Sequence, residues 1–265
     1  MKVIANNIKI FESGDNSSLP VLFVHGFPFD HSMWQNQIEE LSSDYYCVSY
    51  DIRGLGESLP GDGQYTMELF VDDLSFVVDE LKLKKPVLCG LSMGGYIALR
   101  AVEKMADKFR GVVFCDTKSE ADANEGKLKR AEGIKKINEE GLDSFIPDFI
   151  KNCFSDQFKE NNSKEYNKII ERSLSFDPIG VKGCLLAMAG RTDTTPCLSK
   201  IKIPVLILCG EKDNLTTTNV MIEMSNKISN SEFYIVPGSG HIISIENPAF
   251  VNEKIFNFLR NIKNI

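Results

Sequence analysis

Short runs of Val, Leu, Ile, Cys and aromatic residues recur along the chain with almost no polar interruption. They are "PVLFVHG" at 20–26, "YYCVSYD" at 45–51, "PVLCGLS" at 86–92, "GVVFCD" at 111–116, "PVLILCGE" at 204–211 and "EFYIVPG" at 232–238. A strand with one wet face alternates apolar and polar residues. Most of these runs do not, so their strands must be covered on both faces, as in a parallel sheet packed between helices. Segments of helical period separate them, among them "FVDDLSFVVDELK" and "YIALRAVEKMADKF". Strand, helix, strand in repeated succession predicts an α/β fold with a mostly parallel central sheet and helices on both faces. The N-terminal "VIANNIKIFES" adds two short strands or one bent hairpin.

One interval breaks the rhythm. Between Asp116 and Pro204 lie 87 residues, where a crossover needs about a dozen. Four helical patterns fill it: "EGKLKRAEGIKKINEE", "LDSFIPDFIKNCF", "SKEYNKIIERSLSF" and "IGVKGCLLAMAG". The interval reads as an inserted helical cap, residues 118–196, on a core made of 1–117 and 197–265.

Composition narrows the function classes. A net charge of −7, with Lys127–Arg130 and Lys135–Lys136 interleaved with other residues, argues against nucleic-acid and anionic-membrane partners. No apolar run is long enough to span a bilayer, and asparagines interrupt the N-terminal stretch, so neither a membrane span nor a signal peptide is expected. The seven cysteines form no CxxC pair, and those at 89, 115 and 209 sit inside strand runs. That use of cysteine suits a reducing compartment, and a cytoplasmic location is expected. No Cys/His set has zinc spacing, so no metal is expected. In "DIRGLGES" (51–58) the G-x-G lacks its third glycine, Leu59 standing there. No dinucleotide and no other cofactor is therefore expected.

The segment Gly90-Leu91-Ser92-Met93-Gly94 matches G-x-S-x-G, with a strand run before it and a helical pattern after it. Such a turn holds its serine in a strained backbone at the strand end, at a helix N-terminus that favours developing negative charge. A serine nucleophile needs a base, and the base an orienting carboxylate. Three histidines exist, His25, His31 and His241. His241 follows a strand run in "GSGH", and Asp213 follows one in "GEKD". The order Ser92, Asp213, His241 on strand ends of one polarity is the order this architecture uses. Asp116, ending "GVVFCD", is the rival for the acid. Backbone N–H groups of Met93 and of Phe27, in "HGFP", are the expected oxyanion donors, with His25 holding that loop. Asp51, Arg53 and Ser58 are read as stabilising their loop, and Asp72 and Asp73 as solvated helix residues. Trp34 and Phe27, Phe29, Phe145, Phe149 and Phe154 are core or pocket lining.

These blocks together resemble the α/β-hydrolase superfamily. "HGFPFDHSMW", "DIRGLGES", "GLSMGG", "GEKD", "GSGH" and "IENP" follow one another in the family's order. Within it, "DTKSEADANEGKLKR" and "AGRTDTTPCLSKIKIPVLILCGEKD" resemble 3-oxoadipate enol-lactonases and small carboxylesterases. The resemblance implies the α/β-hydrolase fold and a small-molecule ester or lactone substrate cleaved through an acyl-enzyme; a monomer or small homo-oligomer is expected. Enol-lactone hydrolysis, perhydrolase activity and ligand sensing are the alternatives. A lactone substrate carrying a carboxylate would want a basic partner, for which Arg191, Arg172 and Lys118 are the candidates.

Overall fold

The computed structural model describes residues 2–4 and 8–263. Among the described residues eight strands form one sheet: β1 (Lys2–Ile4), β2 (Ile8–Ser13), β3 (Pro20–Val24), β4 (Tyr46–Tyr50), β5 (Val87–Leu91), β6 (Gly111–Cys115), β7 (Val205–Gly210) and β8 (Ser231–Val236). Their spatial order is β1-β2-β4-β3-β5-β6-β7-β8. The pairs from β4 through β8 are parallel, while β2 runs antiparallel to both β1 and β4. The first two strands are the expected hairpin, whose connection, residues 5–7, lies outside the described residues. Every residue of β3, β4, β5, β6 and β7 is buried, so both faces of the central sheet are covered, as their unbroken apolar character requires.

The helices are α1 (Gln35–Leu41), α2 (Met67–Glu80), α3 (Met93–Met105), α4 (Asn124–Glu140), α5 (Leu142–Lys151), α6 (Asp156–Asn161), α7 (Ser163–Leu174), α8 (Pro178–Ala189), α9 (Thr218–Asn226), α10 (Ile243–Glu246) and α11 (Pro248–Ile262). Helices α2 and α3 pack together, and α3 lies on β3 and β5; α1 and α11 form a second pair. Helices α4 to α8 occupy the long interval between β6 and β7. The short α6 is one more helix than the four patterns in the sequence; its six residues are too few to show a periodic face. Among the described residues no helix is long and apolar enough to cross a membrane.

The chain leaves β3 to form β4 on one side, then returns to form β5 on the other. This reversal is a topological switch point, and the carboxyl ends of β3 and β5 there are where ligands bind in sheets of this kind. The loop 25–28 and Ser92 both emerge there.

Helix α3 approaches those strand ends through glycine. A Cβ on Gly94 would overlap the Val24 carbonyl oxygen, and one on Gly90 would overlap the Gly94 carbonyl oxygen. Both obstacles are backbone atoms, which cannot rotate away. Gly94→Ala should therefore lower stability by about 3 kcal/mol, the upper range for overpacking. Urea denaturation of the two proteins measures this; a loss below about 1 kcal/mol would mean that α3 can slide on the sheet.

Candidate active site

Ser92 caps α3 with φ 54° and ψ −114°, a left-handed backbone that L-residues adopt at a cost of about 1–3 kcal/mol. Three hydrogen bonds hold it there. Its N–H donates to the Cys115 carbonyl at 3.0 Å, and its carbonyl accepts from the Tyr96 N–H at 3.1 Å and the Thr117 hydroxyl at 2.9 Å. Ser92 is half-buried, while the residues on either side are fully buried. Met93 opens α3, so its N–H has no acceptor within the helix. The loop after β3 runs over the serine: a Cβ on Gly26 would stand 3.3 Å from the Ser92 Cβ.

His25 is fully buried within that loop. Its Nε2 accepts the Ile52 N–H at 2.8 Å, which puts the proton on Nδ1, where it donates to the Gly26 carbonyl at 2.9 Å. Both ring nitrogens are thus committed to backbone. Phe27 points its ring between Phe145 and Phe149 of α5, with centroids 6.3 and 5.1 Å away, and Phe29 packs on Phe154. Five of the six aromatic residues singled out in the sequence therefore join the loop to the segment after α4. Trp34 instead lies in the core against Phe23.

His241 and Asp213 are brought together. The His241 Nδ1 lies 2.8 Å from Asp213 Oδ2, both side chains being buried. Asp213 Oδ1 accepts the N–H groups of Leu215 at 2.7 Å and Thr216 at 3.0 Å, which fixes the carboxylate plane. Ser92 Oγ and His241 are not hydrogen-bonded to each other among the described residues. Asp116, the rival acid, does not contact the histidine in its place. It lies behind Asp213, with Oδ1 accepting the Gly210 N–H at 2.7 Å. Burial, then the charge of Asp213, push the Asp116 carboxyl well above the usual carboxylate range.

Two connections to the His241 loop carry no motif of their own. The His241 N–H donates to the Cys153 carbonyl at 2.9 Å. Glu246 accepts the Gly240 N–H and the Ser155 N–H, each at 3.0 Å, and burial raises its carboxyl. The "IENP" block carried the only sequence signal for Glu246.

Elsewhere the structure sharpens or corrects the expectations. Asp51 accepts the N–H and Nδ1 of His31, each at 2.8 Å, and the Glu57 N–H at 2.8 Å; the Ser58 hydroxyl donates to the Asp51 carbonyl. Asp72 is exposed, but Asp73 is not solvated. It is buried in a two-pronged pair with Arg53, at 2.8 and 2.6 Å, on the inward side of α2. Helical period alone assigned the wrong face, because a buried aspartate is indistinguishable from an exposed one until its arginine is placed. All seven cysteines are free and buried. Burial pushes every thiol up, Cys197 to about 11 and Cys47 to about 12, so none is an activated nucleophile.

The three candidate cations all have carboxylate partners. Arg172 pairs with buried Asp30. Arg191 pairs with Asp122 at 2.8 Å, donates to the Met188 and Glu120 carbonyls and lies 4.1 Å above the Tyr96 ring. Arg130 and Lys118 share Asp122, at 3.2 and 3.9 Å. Burial and Arg191 lower the Lys118 amine.

Comparison with known proteins identifies the family. The model of the alpha/beta hydrolase family matches residues 21–254. The chain belongs to that family and is a hydrolase by class. It is similar to 3-oxoadipate enol-lactonase 1 of Acinetobacter baylyi, with 28% identity over 95% of this chain and 92% of the relative. Among solved structures it is similar to a thermophilic esterase from Thermogutta terrifontis, with 35% identity, TM-score 0.93, and coverage of 97% of this chain and 94% of that one. The enol-lactonase from Burkholderia xenovorans LB400 shares the fold at TM-score 0.89 and 24% identity, covering 96% of each chain.

The Arg191–Asp122 pair yields a test of stability against pH. Burial raises the Asp122 carboxyl, but Arg191 and Arg130 outweigh it and hold the group below its ordinary 3.8. A depressed carboxylate contributes stability above its unfolded value and loses it as pH falls through the folded one. Arg191→Met should cost about 3 kcal/mol at neutral pH, the low end for a broken buried pair because Arg130 remains. Denaturant titrations should show that cost shrinking as pH falls below about 4.

Proposed function

We propose that this protein hydrolyses carboxylic esters of small to medium acyl compounds through Ser92, His241 and Asp213. The observation that carries the reading is the left-handed backbone of Ser92, held by three hydrogen bonds at the carboxyl end of β5. A fold bears that strain where the side chain has work to do. The Ser92 oxygen attacks the acyl carbon while His241 Nε2 takes its proton. The tetrahedral oxyanion is held by the N–H groups of Phe27 and Met93. Collapse expels the alkoxide, which takes the proton from His241, and leaves the acyl group on Ser92. Water, deprotonated by His241, then attacks the acyl-serine; collapse breaks the bond to Ser92, whose oxygen takes the proton back from His241, and releases the acid. Asp213, 2.8 Å from Nδ1, holds the tautomer and stabilises the imidazolium. The open Ser92–His241 contact is of a kind that tightens when substrate arrives. No cofactor or metal takes part in this scheme.

In this reading residues 118–196 form the cap, and Phe145 and Phe149 carry its apolar face towards the oxyanion loop. The seven buried free thiols support a reducing, cytoplasmic setting. A neutral ester is preferred because Arg172 and Arg191 are already paired. One observation favours a second reading, an enol-lactone carrying a carboxylate: Arg191, Arg130 and Lys118 gather around Asp122, with Glu120 as the other acid acting on Lys118, so cations outnumber carboxylates there.

Steady-state assays on p-nitrophenyl acetate, butyrate and octanoate test the first reading. Ser92→Ala and His241→Ala should each lower kcat by about 10⁴-fold or more. The base acts only when neutral, so wild-type kcat/KM should fall as pH is lowered through its ionisation. Turnover in Ser92→Ala equal to wild type would discard the assignment. A kcat/KM that rises with substrate negative charge would select the lactone reading over the neutral ester.

A further inference from the structure

Asp116 is fully buried at the end of β6, with φ 41°. Its N–H donates to the Leu208 carbonyl at 3.0 Å, and its Oδ1 accepts the Gly210 N–H at 2.7 Å, so both ends are clamped to β7. Its Oδ2 receives no hydrogen bond among the described residues. Carboxylate oxygens of Asp116 and Asp213 and the Cys209 sulfur lie within 4.8 Å of one another. The titratable groups facing Asp116 are Asp213 after β7, Cys209 on β7, Cys115 on β6 and Glu246 on α10, with His241 beyond Asp213. All but the histidine are acids.

Two carboxylates this close in a dry site cannot both ionise. The competition is uneven. Asp213 is held by His241, Leu215 and Thr216, whereas Asp116 has one N–H donor. The charge therefore settles on Asp213 and the proton on Asp116.

We propose that Asp116 is a positioning residue kept as a neutral carboxylic acid at neutral pH, its Oδ2–H directed at Asp213, so that His241 faces a single, shared negative charge. The proposal rests on the Ser92–Asp213–His241 reading. A second full charge behind Asp213 would over-stabilise the imidazolium and hold back the proton that the leaving alkoxide must receive. The acid form avoids this while bracing Asp213 from behind.

The test uses Asp116→Asn and Asp116→Leu with two measurements. The first is Tm between about pH 4.5 and about pH 8. The native protein holds a proton that the unfolded chain releases near the ordinary carboxylate value, so wild-type stability falls as pH rises above it. Asn has no such proton, and the Tm of Asp116→Asn relative to wild type should climb steadily across the range. A flat difference would mean that Asp116 is ionised and would overturn the proposal.

The second measurement is the acid limb of kcat/KM against pH. Asn keeps an N–H donor for Asp213, and the limb should stay within about 0.3 of a unit. Leu removes the donor, concentrates charge on Asp213 and should raise the limb by about half a unit. If Asp116 were ionised, both variants would lower the limb, by on the order of one unit. A limb unmoved in both would leave only a structural role and would also overturn the proposal. Where Asp116→Leu fails to fold, the stability measurement on Asp116→Asn decides. That measurement needs no turnover, so it stands apart from failure of the catalytic reading, which Ser92→Ala reports.

Discussion

The left-handed turn at Ser92 depends on backbone touching backbone. Helix α3 lies so close to the ends of β3 and β5 that no side chain fits between them at Gly90 or Gly94. The strain at Ser92 is balanced by hydrogen bonds from three directions: Cys115 at the end of β6, Thr117 just beyond it, and Tyr96 within α3. The loops at the carboxyl end of the sheet are then tied to one another in turn. Asp116 takes the Gly210 N–H, and the Lys212 N–H donates to the Ser239 carbonyl at 2.8 Å. Each candidate residue therefore inherits its position from the parallel pairing of β5, β6, β7 and β8.

A second set of contacts links the segment between β6 and β7 to the same loops. The aromatic cluster of Phe27, Phe145 and Phe149 fastens it to the loop after β3. Cys153 and Ser155 fasten it to the loop after β8, through His241 and Glu246. The stretch 145–155 thus touches both the loop after β3 and the loop after β8. Movement of that stretch would displace Phe27 and His241 together. The aromatic half of this link is apolar burial and tolerates sliding. The Glu246 half is directional and does not.

Charge in this protein is managed in buried pairs. Asp51 with His31, Asp73 with Arg53, and Asp122 with Arg191 each place a carboxylate out of water beside its partner. Such pairs add little net stability relative to apolar packing, but losing one partner is costly. Among the described buried carboxylates Asp116 is the exception. It faces acids and has no cation beside it, which is why its proton matters to the site.

The sequence alone determined the layered α/β architecture, the helical interval and the Ser92, Asp213, His241 order. Those features are local. Apolar runs betray buried strands, and a G-x-S-x-G between strand and helix is read within five residues. The structural role of His25 was legible for the same reason, since it borders the glycine it supports. Only the tertiary structure decided that Asp73 is buried, that Arg191 and Arg172 are spoken for, that Glu246 bridges two loops and that Asp116 stands behind Asp213. Each depends on partners brought together by the sheet from distant parts of the chain, such as Asp116 and Asp213 from β6 and β7. Burial and charge pairing are properties of such meetings, and a single chain carries no local mark of them.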